Sequence, residues 1–324
     1  MKEIYFAGGC FWGVEHFFKG VDGVAEAAPG YANGSLDSPS YEQVYTDATG
    51  HAETVRVRYN PDRVSLQTLV RLFFTIIDPL SLNRQGHDEG TRYRTGIYYT
   101  GEEDLPVLKE CFEELSGKLG CAPVTELLPL KSFWPAEERH QDYLGKNPGG
   151  YCHIPLKTFR YLRLYQDLAL LLGDEPDPIA RMANAAALIH SRMHFLWTGF
   201  YLVRDDELVL GPFQGPEACF RIAYGKGVCG TAWAQRRTIV VPDVEQFPGH
   251  IACSSDSRSE IVVPLWRRAE DSHAPSGLRM TDGESPVGVT EGECPVGVLD
   301  IDSAEKGTFD STDATWLELI AAVI

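Results

Sequence analysis

The chain has 324 residues and a mass of 36.0 kDa, more than one hydrophobic core usually serves, so two domains of ordinary size are expected. With 44% hydrophobic and 23% charged residues, its composition is that of a folded protein rather than a disordered one. A formal charge of -17, from 29 basic and 46 acidic residues, repels phosphate backbones and anionic lipid alike and sets nucleic acid and membranes aside as partners.

Residues 1 to 156 open on a strand-like run, Glu3 to Ala7, and pass through two glycines into an amphipathic helix over Phe11 to Lys19. An alternating strand follows at Glu53 to Tyr59, with helical periodicity at Leu66 to Ile77 and at Glu103 to Leu119. This mixture of strands and helices predicts an α/β or α+β domain, taken as a mixed α/β sandwich within an α+β chain. It ends in KNPGGYCHIP, whose glycine freedom marks a boundary or a mobile tail. Residues 157 to 324 begin with the helical pattern YLRLYQDLALLLG and a second helix over Ala180 to Met193, followed by the strands WTGFYLV, ELVLG and EIVVPL. Helices followed by strands predict an antiparallel sheet with helices on one side. The Gly-, Ser- and Pro-rich stretch between Trp266 and Cys294 reads as an insertion in an exposed hairpin loop, and the echo of SPVGV in CPVGV is too short for a structural repeat.

No apolar stretch reaches the roughly 18 residues that a membrane span needs. The eight cysteines are too sparse for a disulfide-framed secreted scaffold, and no CxxC pair supports a zinc ribbon or a thioredoxin motif. The chain therefore reads as cytoplasmic, with thiols whose burial and reactivity matter more than cross-linking.

Cys10, in GGCFWGVE, falls at a strand-to-helix turn, where unpaired N–H groups and the helix dipole favour a thiolate. Spacing alone leaves a structural thiol open, with Phe11 and Trp12 as simple core. Taken in order, GGCFWGVE, YEQVYTDATGHAETVRVRYNP, QGHDEGTRYRTGIYY and NPGGYCHI resemble the peptide methionine sulfoxide reductases of the A type across residues 1 to 156. That resemblance makes Cys10 the nucleophile on the sulfoxide sulfur. It makes Phe11 and Trp12 the pocket for the methyl group, and sets Tyr41, Glu53, Asp88 and Tyr93 around the oxygen.

The chemistry fits these residue types, because a sulfoxide oxygen departs only if it is protonated as the sulfur is attacked. Glu53 would be the acid, which requires burial that raises its pKa. Cys10 would be left as a sulfenic acid and would condense with Cys152, in the flexible loop GGYCHI, before thioredoxin or an equivalent dithiol reduces the disulfide. A further recycling cysteine found in some relatives would fall at position 160, which is Arg here. Cys111 and Cys121 match no motif position and read as ordinary core or surface thiols.

In the second half, Cys219, Cys229 and Cys253, together with SEIVVPL and LDIDS, resemble the free methionine-(R)-sulfoxide reductases, which are built on a GAF domain. By that resemblance Cys253 attacks and Cys219 resolves, while Cys229 can join the exchange. Glu260, Asp300 and Asp302 form an acidic pocket, and Trp197 and Tyr201 wall the thioether. Carboxylates that neutralise a free ammonium would select the free amino acid over a peptide. Cys294, beside the insertion, matches no family cysteine.

The resemblances imply two epimer-specific reductases in one chain, acting on oxidised proteins and on free methionine sulfoxide with no metal or organic cofactor. The alternative keeps the first domain catalytic and makes the second a ligand-binding or redox-sensing GAF module.

Overall fold

A computed structural model describes residues 1–251, 255–267 and 294–324 of the chain. Cys253 and the body of the expected insertion, residues 268–293, lie outside the described residues. The chain divides into two units, Met1–Leu162 and Arg163–Ile324, each with its own six-stranded sheet.

The first unit runs β1 (Lys2–Gly8), α1 (Phe11–Lys19), β2 (Val24–Ala32), α2 (Tyr41–Tyr45), β3 (Ala52–Tyr59), α3 (Leu66–Phe74), β4 (Arg84–Gln85), β5 (Asp88–Glu89), β6 (Thr95–Tyr99), α4 (Leu105–Leu119), β7 (Glu126–Pro129), β8 (Phe133–Pro135) and α5 (Tyr143–Lys146), and enters α6 (Leu156–Leu172). Its sheet has the order β7-β6-β1-β3-β2-β8, and only the β6–β7 pair is parallel. Both faces of β1 are buried: Ile4 and Phe6 on one side, Tyr5 and Ala7 on the other. Phe6 stacks between Phe18 of α1 and Phe73 of α3 at 4.7 and 4.8 Å. The opposite face gathers Tyr5, Ala7, Ala32, Ala52 and Tyr98. A strand covered on both faces reads as a continuous apolar run, and this is why YFA carries no polar alternation.

Of the six strands of this sheet the pattern reading placed β1 and β3 and passed over the other four, β2 and β6 among them. β2, VAEAAPGYA, lacks β-branched alternation, and becomes a strand because it pairs with β3 from Val24 to Ala32. β6 is a short run, TGIYY, fixed by β1 on one side and β7 on the other. The helix expected to reach Ile77 stops at Phe74, where the Thr75 and Ile76 amides turn back to Leu72 and Phe73 in tighter bonds.

The second unit continues with α7 (Pro178–Met193), β9 (Trp197–Arg204), β10 (Glu207–Gln214), β11 (Arg221–Ala223), α8 (Gly227–Gln235), β12 (Ile239–Val241), β13 (Ser259–Leu265), β14 (Gly297–Ser303) and α9 (Ser311–Ala321). The sheet, of order β11-β10-β9-β14-β13-β12, is antiparallel throughout. Its helices do not keep to one side as the sequence suggested. Phe200, Ile261, Val263, Leu299 and Ile301 are buried on one face, where α7 and α9 meet the sheet. Trp197, Tyr201, Val262 and Val298 are buried on the other, against Val228, Cys229 and Ala232 of α8. Both faces bury large apolar side chains, so both require cover.

Candidate active sites

The first site is built where β1 hands over to α1. Gly9 adopts φ +80°, and a Cβ there would lie 2.6 Å from Cβ of Gln85; only glycine serves this turn. Cys10 follows as the extended residue capping α1, without a side-chain cap hydrogen bond. It is buried, and that burial pushes its thiol up, assisted by Glu53 and opposed by the Trp12 amide. The helix-terminus effect expected from the sequence is thus present but outweighed.

Glu53 is 2% exposed. It lies on the face of β3 that carries Val55 and Val57, and the sheet register sets it directly across from Tyr31. Its Oε2 accepts the Phe11 amide at 3.1 Å. Burial raises its pKa to about 8, against the opposing pulls of that amide and of Arg92. At neutral pH Glu53 is therefore a neutral acid, a form able to give a proton.

Around this pair stand aromatic rings. Phe11 lies 5.9 Å from Tyr31 and 5.4 Å from His140; Trp12 stacks on Tyr143 at 3.7 Å, and Tyr41 packs on His140 at 4.6 Å. Burial raises the phenol of Tyr41 to about 12 and that of Tyr93 further, so both stay protonated donors. Asp88, at the short β4–β5 hairpin, accepts from Tyr151 at 3.0 Å. Arg92 pairs with Asp47 at 2.8 Å and covers the Tyr93 ring at 4.4 Å.

Sequence reasoning missed Tyr31, Glu137 and His140. Glu137 accepts both the Tyr31 hydroxyl and the Tyr41 amide at 2.7 Å, joining two walls of the site. Nothing in AEERHQDY signals this, since the contacts depend on β8 returning the chain to β2. Cys152 is half-buried and free. A Cβ on Gly13 would lie 3.2 Å from its Sγ and 3.1 Å from Cδ1 of Ile154, so α1 presents a bare backbone to the segment carrying this thiol. Cys111 is free and buried on α4, and Cys121 is free and exposed.

The second site lies between α8 and the sheet. Register pairs Glu260 with Asp302 and sets Asp302 opposite Trp197, while Val298 faces Tyr201. Period-two alternation therefore turns Glu260, Asp300, Asp302, Trp197 and Tyr201 to one face, where they line one pocket with Cys229, His250 and Ser257. Glu260 and Asp300 are each 6% exposed; burial pushes both carboxyls well up, with Asp300 and Asp302 repelling charge on Glu260 and Asp302 repelling charge on Asp300. Burial takes Asp302 to about 6, held back by the Ser257 hydroxyl, which donates to its Oδ1.

Trp197 stacks on Phe213 at 5.4 Å and donates to the Pro216 carbonyl at 3.2 Å. Tyr201 donates to the carbonyl of Cys219 at 3.0 Å. Cys219 is disulfide-bonded. Cys229 is free and buried, with Sγ 3.9 Å from Oε1 of Glu260, and Cys294 is free and exposed. His250, absent from the sequence reading, brings Nε2 to 3.7 Å from Oε2 of Glu260. Among the described residues, no helix is long and apolar enough to cross a membrane.

Residues 2–167 match the family model of peptide methionine sulfoxide reductase, and residues 177–324 match the GAF domain model. The peptide methionine sulfoxide reductase MsrA of Clostridium acetobutylicum is 54% identical over 160 residues, which cover 49% of this chain and 99% of that protein. Mxr1 from Saccharomyces cerevisiae, solved in its reduced form, is 42% identical, with a TM-score of 0.46 over 48% of this chain and 91% of its own. The free methionine-R-sulfoxide reductase of Neisseria meningitidis, solved with its substrate, is 44% identical, with a TM-score of 0.42 over 50% of this chain and 84% of its own. The chain thus belongs to the peptide methionine sulfoxide reductase family through its first unit and carries a GAF domain in its second.

Proposed function

We propose that the chain is a bifunctional methionine sulfoxide reductase. Residues 1–156 act on the S epimer, in proteins and free, and the GAF domain of residues 157–324 acts on the free R epimer. The observation that carries the first half is the neutral, buried Glu53 held against the helix that Cys10 caps. The methyl group of the substrate enters the ring pocket of Phe11 and Trp12. Cys10 sulfur attacks the sulfoxide sulfur while Glu53 gives its proton to the oxygen, and the thiol proton of Cys10 restores Glu53. The sulfoxide gains two electrons and becomes the thioether, while its oxygen and one proton end on Cys10 as a sulfenic acid. Cys152 displaces that oxygen as water, and thioredoxin or an equivalent dithiol reduces the disulfide. This cycle suits a reducing compartment such as the cytoplasm.

For the second half, the support is a pocket that combines two stacked aromatic walls with three carboxyls. A free amino acid brings an ammonium that such acids neutralise, and a peptide-bound methionine does not. Cys253 attacks and Cys219 resolves in this reading, supported by the oxidised state of Cys219 and the free, buried state of Cys229.

Separate epimer assays with dithiothreitol test both halves. Cys253→Ser should abolish free R-epimer reduction and leave the S epimer untouched, and Cys10→Ser should do the reverse. R-epimer reduction that survives Cys253→Ser would return the GAF domain to a sensing role.

A further inference from the structure

Reduction of a sulfoxide accounts for the acids of the second pocket without calling on the thiol that lies among them. Sγ of Cys229 and one carboxylate oxygen from each of Glu260 and Asp300 lie within 4.8 Å of one another, all three residues buried. They arrive from α8, β13 and β14, so the fold and not a local motif brings them together. The Cys229 to Glu260 separation is 3.9 Å, against about 3.5 Å between neighbouring ligand atoms in a tetrahedral zinc site. A second observation is independent of this clustering: Oδ1 of Asp300, a residue only 6% exposed, has no hydrogen-bond partner. Buried polar atoms left in that state are costly. At the edge of the same pocket, Nε2 of His250 stands 3.7 Å from Oε2 of Glu260.

A thiol, two carboxylates and an imidazole make a mixed S/O/N set of the kind that suits Zn2+ and excludes Mg2+ and Ca2+, which prefer oxygen alone. Two carboxylates buried side by side resist ionising together, and a divalent cation removes that conflict. We propose that Cys229, Glu260 and Asp300, with His250 as the fourth ligand, bind a thiophilic divalent cation such as Zn2+, and that the bound ion closes the pocket to free methionine sulfoxide. The ion displaces the Cys229 proton and those of any protonated acids to solvent, with no change of oxidation state. The inhibitory clause rests on the free R-sulfoxide reading given above; the binding clause does not.

The full chain, reduced with a phosphine, freed of metal and placed in thiol-free buffer, is titrated with Co2+ and observed by absorption. The expected result is a thiolate-to-cobalt charge-transfer band that saturates at one equivalent and is displaced by Zn2+. Cys229→Ala should lose the band, Asp300→Asn and His250→Gln should weaken binding at least tenfold, and Cys121→Ser should bind as the parent does. Thermal unfolding of each variant separates loss of the site from loss of the fold, and His250→Gln, at the pocket edge, supplies a test that does not depend on replacing a core residue. Absence of the band, or a band that survives Cys229→Ala, overturns the site. Zn2+ should also raise the KM for the free R epimer without lowering kcat, and a fall in kcat at constant KM overturns the blocking. A metal-free chain that shows the cobalt band but reduces no R epimer would sink the reductase reading and leave the metal site standing.

Discussion

The amide of Phe11 donates to Oε2 of Glu53 at 3.1 Å, which ties the buried acid to the first residue of the helix that Cys10 caps. A thiol and a proton donor are thus held by one short stretch of helix and one strand, and neither can drift without the other. The bond favours the ionised carboxylate, yet burial prevails and sets the pKa at about 8.

Reduction of the S epimer is therefore expected to fall as pH rises through about 8. Glu53→Gln should cost about 10²-fold or more and flatten that limb in a kcat/KM profile. Stability moves with the same proton. A carboxyl whose folded pKa is raised from 4.5 to about 8 leaves the native state binding more protons between those values, so stability declines as pH rises across that window. Denaturant titrations should find Glu53→Gln more stable than the parent near pH 9, by on the order of a few kcal/mol, with the gap closing toward pH 5.

At Gly13 α1 lies against the Cys152 segment. Gly13→Ala adds a methyl 3.1 Å from Ile154 and 3.2 Å from the Cys152 sulfur, while gaining about 1 kcal/mol of helix propensity. Rapid-quench experiments should show the first methionine released at the parental rate and the Cys10–Cys152 disulfide forming several-fold more slowly.

Glu137 holds Tyr31 and Tyr41 with its two oxygens, and Gln offers only one acceptor. Glu137→Gln should raise the KM for peptide sulfoxide several-fold and lower stability by about 1–2 kcal/mol. The pH profile set by Glu53 should stay where it was, and a shifted profile would mean that Glu137 acts on the acid directly.

In the second pocket the Ser257 hydroxyl lowers the pKa of Asp302 against burial. Ser257→Ala should move that pKa upward from about 6. Because the ionised carboxylate is the form that holds an ammonium, the KM for free R-sulfoxide should begin to rise at a higher pH in the variant than in the parent. An unchanged acid limb would remove Asp302 from ammonium binding.

Much of this was legible in the chain itself. Cys10 between GG and FWGVE announced a strand-to-helix turn, and α1, β3 and α7 lie close to where periodicity put them. Local pattern decided these because each carries its own signal: a helix face, an alternating strand, a glycine forced to positive φ at Gly9. β2 carried none and took its form from pairing with β3.

The sequence determined which chemistries were available, since a cysteine at a helix start and a carboxyl in a strand are fixed by residue type and spacing. Protonation and partnership were decided only in three dimensions. Glu53 is a neutral acid because β1, β3 and α1 close over it, and Oδ1 of Asp300 lacks a hydrogen-bond partner because β14 buries this carboxyl beside Glu260 and Cys229. Desolvation depends on everything packed around a group, so distant segments such as Glu137 and His250 enter the sites with no trace in the local sequence.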